Sequence, residues 1–226
     1  MLPSRERLQE RQGQHAPPRH EYLQQLVDEF QRSPDNLRKE EVVAHLANFA
    51  YAPINYTSLG RLRVMDLFLD ILAADQENSD VTNANYDEKT TQESQQGRFS
   101  TASSPEAPRK NQLVEFAIDG ICNCVIDPQL QQQFIDGDGV NILAPYILEI
   151  PLEGEHPTSF TISELNVRVS ALSIAYFLLN SRAFRDITRS KFMIKMQSLE
   201  HHSIVQIANT AAAFLGHYQE LVTPMM

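Results

Sequence analysis

The sequence predicts an all-α fold: a right-handed α-solenoid of about four helical repeats with a disordered loop insertion. Three observations lead there. Apolar residues recur at helical spacing along most of the chain, and no segment shows convincing period-2 alternation. One stretch of the sequence aligns with a later one at a fixed offset. A strongly polar segment interrupts the pattern between the two copies.

Taken in order, residues 1–20 carry Arg, Gln and Pro with little apolar content, and read as a flexible N-terminal tail. The folded domain is expected over 21–220, with 221–226 as a C-terminal tail. Tyr22, Leu23, Leu26, Val27 and Phe30 give the first amphipathic helix, which Ser33-Pro34-Asp35-Asn36 breaks. A second runs from about Leu37 to Tyr51 on Val42, Val43, Leu46, Phe49 and Ala50, and Pro53 stops it. A short helix follows at Asn55–Leu59, Gly60 ends it, and Leu62 to Ala74 form another. Residues 76–110 hold Val81, Tyr86 and Phe99 among Gln, Ser, Thr, Asn and Pro. So few large apolar groups do not offset the ordering entropy, so this stretch is expected to be a disordered loop. Helical spacing returns from Leu113 to Ile126, before Pro128. Further helices are expected at 128–135, 139–149, 161–180, 182–190, 191–200 and 203–219.

The repeat carries the fold assignment. Shifted by 75 residues, 42–72 lies on 117–147 without a gap. Asn48 falls on Asn123 and Pro53 on Pro128. Val43, Leu46, Ala50, Leu59, Met65, Leu67, Phe68 and Leu72 fall on Ile118, Ile121, Val125, Phe134, Val140, Ile142, Leu143 and Ile147. Without the polar segment the offset shrinks to 40 residues, close to the roughly 40–47 of armadillo and HEAT units. A weaker third copy places 168–187 on 115–134 and puts Tyr176 where Asn123 stood. The helix at 203–219 would begin a fourth. Three helices per unit, with a Pro after the long one, favour armadillo over HEAT.

Within these copies, LANFA at 46–50 and ICNCV at 121–125 fit the small/Leu-x-Asn-Leu-small motif of armadillo long helices. Over about 22–75 and 111–148 the chain closely resembles the armadillo repeat-containing protein 7 family, small stand-alone armadillo proteins. The resemblance implies a right-handed solenoid of armadillo-type repeats and a non-catalytic binding scaffold. It also implies a loose link to nuclear RNA-processing assemblies, including pre-mRNA splicing.

Candidate binding residues follow from the expected geometry. The long helices of an armadillo stack line the concave groove. There Asn48 and Asn123 would offer an amide donor and a carbonyl acceptor to an extended peptide backbone. The competing reading has each Asn bonding locally at the turn. Tyr176 takes the same place in the third unit and offers a hydroxyl and a stacking face. Glu115, Asp119 and Asn123 stand at i, i+4 and i+8 and share one helix face, and Glu40 and Glu41 flank the Asn48 face. This acidic stripe suits a Lys- or Arg-bearing partner segment, unless it is an ordinary solvated surface.

The charge balance agrees with that partner. The chain holds 19 Lys+Arg against 29 Asp+Glu, a net charge of −10. Like charge disfavours phosphate and anionic lipid, so neither direct nucleic-acid binding nor a membrane contact is expected. No apolar run is long enough to span a bilayer, and the first twenty residues read as neither signal nor anchor. With two cysteines, Cys122 and Cys124, an intracellular location with reduced thiols is expected, and the resemblance implies a nuclear or nucleocytoplasmic one.

No catalytic residue, cofactor or metal site is expected. Asp136-Gly137-Asp138-Gly139 lacks the remaining ligands of a calcium loop and reads as a turn. Ser104 before Pro105 is a possible phosphorylation site. The leading functional reading is a protein-binding adaptor with an extended basic segment in its groove. The alternative is a constitutive structural subunit of a nuclear ribonucleoprotein.

Overall fold

The computed structural model describes residues 18–89, 112–152 and 160–223, with backbone alone over 78–89. The described residues form helices throughout, without a strand. In chain order they are α1 (Arg19–Arg32), α2 (Asn36–Ala50), a 3-10 turn (Pro53–Asn55), α3 (Tyr56–Arg61), α4 (Val64–Lys89), α5 (Gln112–Cys124), α6 (Pro128–Asp136), α7 (Gly139–Leu148), α8 (Ile162–Leu178), α9 (Phe184–Ile187), α10 (Ser190–Leu199) and α11 (Val205–Val222).

Local chemistry sets most starts. Asp35 accepts from the Leu37 amide at the head of α2. Asp127 caps α6 through the Gln129 and Leu130 amides, with Pro128 in the first turn, where its missing N–H costs nothing. Thr161 and Glu164 form a reciprocal capping box on α8. The α6–α7 turn is the Gly-bearing segment expected from the sequence. Asp138 takes a left-handed conformation there, φ 58°. A Cβ on Gly139 would meet the Phe134 ring at 2.6 Å, so the turn closes only on glycine.

The long helices α2, α5, α8 and α11 stack in that order as one row, and α4, α7 and α10 back them on the other side. One continuous core runs between the layers. The aligned pairs Val43 and Ile118, Leu46 and Ile121, Ala50 and Val125, Leu59 and Phe134, Phe68 and Leu143, and Leu72 and Ile147 are buried, whereas Val140 and Ile142, aligned with the buried Met65 and Leu67, are half-buried against the core. The third copy repeats this, since Ala171, Ile174, Leu178 and Ile187 are fully buried at the expected positions. At Gly120 an added Cβ would stand 2.5 Å from the Phe68 ring, so α4 and α5 approach through a glycine.

The helix boundaries differ from expectation at several places: α1 begins at Arg19, inside the expected tail, and α3 runs through Gly60 to Arg61. The helix expected to end at Ala74 continues as α4 to Lys89, into the segment read as a loop. Its first extra turn is tied down by α7: the Tyr146 hydroxyl donates to Leu72 O at 3.2 Å and to Asp75 at 3.0 Å, and Gln76 donates to Ile142 O. The rest of that expected loop, 90–110 with Ser104, lies outside the described residues, as do most of the N-terminal tail and 224–226. The helix expected at 182–190 is a single turn, 184–187. At the C-terminal end α11 runs to Val222, past the helix end expected at 219 and the domain boundary expected at 220.

Candidate functional site

The row α2–α5–α8–α11 carries the expected binding residues, and each sits in a distinct setting. Asn48 is exposed on α2. Its side chain makes no hydrogen bond among the described residues, while its carbonyl accepts from the Tyr51 amide at 3.3 Å. Asn123 is half-buried on α5. Its Nδ2 donates to Ala47 O at 3.3 Å, and its carbonyl accepts from the Tyr56 hydroxyl at 3.0 Å. The two asparagines are equivalent in the repeat and differ in employment: Asn123 braces α5 against α2, whereas the Asn48 side chain makes no such bond to α1, which also packs on α2.

Glu115 and Asp119 project together toward α8. Asn166 Nδ2 donates to Glu115 Oε1 at 2.7 Å. One turn on, Ser170 Oγ donates to Asp119 Oδ1, also at 2.7 Å. The two bonds form parallel struts between adjacent long helices. Burial raises the Asp119 carboxyl above its ordinary range, the Ser170 hydroxyl opposes that shift, and the nearby Glu115 charge adds to it. Glu41 lies near the start of α2, exposed, with Arg38 held between it and Glu29. Arg38 is correspondingly pushed above its ordinary range by hydrogen bonds to Glu29 and Glu41.

Tyr176 is half-buried between α8 and α11. Its ring stands 5.6 Å from Phe177 edge-on and 5.2 Å from His217. His217 in turn accepts from Asn180 Nδ2 at 2.7 Å and pairs with Glu220 at 3.2 Å. The sequence reading missed Asn166, Ser170 and His217. The spacing did hold a signal for the first two: both struts span 51 residues, close to the offset of 53 between the second and third repeats.

Cys122 is half-buried and Cys124 buried. Burial pushes both thiols up to about 12, with Asp119 contributing to the first and Asp127 to the second. Both are therefore protonated and poor nucleophiles at neutral pH. His202 is also buried, accepting from the Ile204 amide and bonding to Pro151 O. It fastens the α10–α11 turn to the segment after α7. Among the described residues no three His, Cys, Asp or Glu side chains converge to hold a metal ion, and no helix is long and apolar enough to cross a membrane.

The row therefore presents a polar surface with carboxylates at α2 and α5. The α5 helix carries Glu115 and Asp119 and no Lys or Arg. Such a surface can offer hydrogen bonds and negative charge to an approaching chain.

No protein-family model matches the chain. A stretch of 56 residues is 55% identical to mouse (Mus musculus) Armadillo repeat-containing protein 7. This supports a relation to the armadillo repeat-containing protein 7 family. The match covers 25% of this chain and 28% of that relative, so the two are compared over little more than a quarter of the relative's length.

Proposed function

We propose that the protein is a non-catalytic, armadillo-type protein-binding scaffold. On this reading the face formed by α2, α5, α8 and α11 holds an extended, basic segment of a partner protein. The observation that carries it is the pairing of Asn48 and Asn123 at equivalent places on adjacent long helices, beside carboxylates and without a cation on α5. An extended backbone needs donors and acceptors at regular intervals, which an asparagine row supplies. Repeat stacking supplies the continuous surface, and the similarity to an armadillo-repeat relative agrees with the architecture.

A second reading draws on a different observation. Glu115, Asp119 and Asn123 already bond to neighbouring helices. That arrangement favours a wide, permanent protein contact in which these residues keep the scaffold rigid, as in a structural subunit of a nuclear ribonucleoprotein assembly.

Affinity purification followed by binding to the recovered partner separates the two. An adaptor is expected to bind a short basic segment of that partner, more weakly as salt rises. Asn48→Ala is expected to weaken it by about 1 kcal/mol without changing the melting temperature. Full affinity in that variant, with binding only to the intact partner, would favour the structural subunit.

A further inference from the structure

The net charge of −10 is unevenly spread along the chain. Residues 112–152 hold six carboxylates and no Lys or Arg. Further on the sign reverses. Arg182, Arg185, Arg189, Lys191 and Lys195 fall within fourteen residues that contain one carboxylate, Asp186.

The fold turns four of these cations outward. Ala183, Ile187, Phe192 and Met196 are buried and pin α9 and the start of α10 to the core. Arg182, Arg185, Arg189 and Lys191 stand between them in sequence and are exposed. The cations are thus carried on a short turn anchored at both sides, which limits the entropy lost when a ligand orders them.

The chain neutralises this cluster only in part. Arg189 pairs with Asp186, and Arg182 reaches the exposed Asp136 of α6 at 3.8 Å. Lys195 is half-buried and donates to Ile150 O. Arg185 and Lys191 make no hydrogen bond or ion pair among the described residues. Beside them lies an apolar group: Ile194 is 63% exposed. It stands one turn beyond Lys191 on the same side of α10, about 4.5 Å along the helix axis.

Charge and this apolar neighbour narrow the occupant. An arginine guanidinium offers paired donors that match a carboxylate, and clustered arginines suit acidic peptide motifs. A long nucleic-acid strand could meet the same cations, but it gains nothing from Ile194. It would also run out over the acidic repeat that borders the patch at Asp136, where like charge repels phosphate. A second copy of the chain is a poor fit, because its Glu115, Asp119 and Asp127 are already bonded within their own repeat stack.

We infer that Arg185, Lys191 and Ile194, flanked by Arg182 and Arg189, form a docking surface for a short acidic segment of a partner protein, in which Asp or Glu residues surround one large apolar side chain. The surface belongs to the third repeat and does not depend on Asn48 or Asn123.

The test uses the full chain and fluorescein-labelled probes, read by fluorescence anisotropy at low salt. One short peptide sets Glu residues around a central Leu, and a second has Ser for that Leu. The third probe is a single-stranded RNA of the same net charge. The Leu peptide is expected to bind most tightly, about tenfold better than the Ser peptide, as burial of a leucine side chain allows, and more weakly as salt rises. An Arg185→Glu, Lys191→Glu variant is expected to bind it about tenfold more weakly, and Ile194→Ser to erase the preference for Leu. All three residues are exposed, and a melting curve verifies that each variant folds. The same charge reversal at Arg32 and Arg61, exposed on α1 and α3, is expected to leave the affinity unchanged. An equal loss in that control would make overall charge the cause and overturns the inference. No binding of the Leu peptide, equal binding of the two peptides, an unchanged affinity in the Arg185, Lys191 variant, or tighter binding of the RNA overturns it as well.

Discussion

The first and last pairs in the row of long helices are built on one repeat plan and finished differently. Between α2 and α5 the repeat leaves Asn48, Tyr51 and Ile126 in solvent. Between α8 and α11 the equivalents are withdrawn: Tyr176 lies against His217, and Leu179 is buried. The cores beneath are alike, with Leu46, Ile121 and Ile174 fully buried at one repeat position. Interior positions thus follow the repeat, while at these turn positions the α2–α5 half is open and the α8–α11 half closed. The contrast separates residues that hold the helices together from residues left exposed to solvent.

The largest expected effect comes from the shared core. Leu46→Ala, Ile121→Ala and Ile174→Ala are each expected to cost about 2–5 kcal/mol in urea unfolding. Near-neutral values at all three would break the repeat alignment. The two halves should then part company at the turn: Leu179→Ala is expected to cost a similar amount, and Tyr51→Ala to stay within about 0.5 kcal/mol. Equal costs at the two positions would remove the contrast.

Overpacking comes next. Gly120→Ala drives a methyl against the Phe68 ring and is expected to cost about 1–3 kcal/mol, read as a lowered denaturation midpoint. Smaller still, Asn123→Ala removes the bond to Ala47 O and should cost about 1 kcal/mol, whereas Asn48→Ala should leave stability unchanged. That difference measures directly how far two equivalent asparagines have diverged.

The smallest effect concerns Asp119. Its folded carboxyl titrates above the unfolded one because burial disfavours the charge. The folded state therefore holds the proton more tightly, and this group's contribution to stability falls as pH rises from about 4, the ordinary carboxylate value. Asp119→Asn keeps an acceptor for Ser170 and removes the buried charge. Its thermal midpoint is expected to exceed the wild type at neutral pH, with the gain disappearing in acid. A gain independent of pH would assign it to something other than this carboxyl.

Much of the architecture was legible because burial imposes a period. Val43, Leu46 and Ala50 recur at helical spacing and again one repeat later, so the helices and their register could be read together. Residues outside that constraint were harder to read. The continuation of α4 past Ala74 depends on Tyr146 and Gln76 meeting across α4 and α7, which no local pattern announces. The turn at 184–187 is too short to show a period. The polar face Glu115–Asp119–Asn123 was visible as spacing, but its bonds to Asn166, Ser170 and Ala47 were not. A hydrogen bond between helices depends on their relative slide, and a shift of one residue would unmake it. His217 lay hidden for the same reason: Tyr176 and Asn180 reach it only after α11 has docked on α8.

The central claim is that the open half of the row is where a partner docks. Backbone amide NMR during titration with a basic segment of the partner recovered by affinity purification tests it most directly. The account predicts that the perturbed amides cluster around Asn48, Tyr51, Asn123 and Ile126, with α11 silent and the perturbation fading as salt is raised. Perturbations centred on α10 and α11, with those four amides unmoved at saturation, would contradict it.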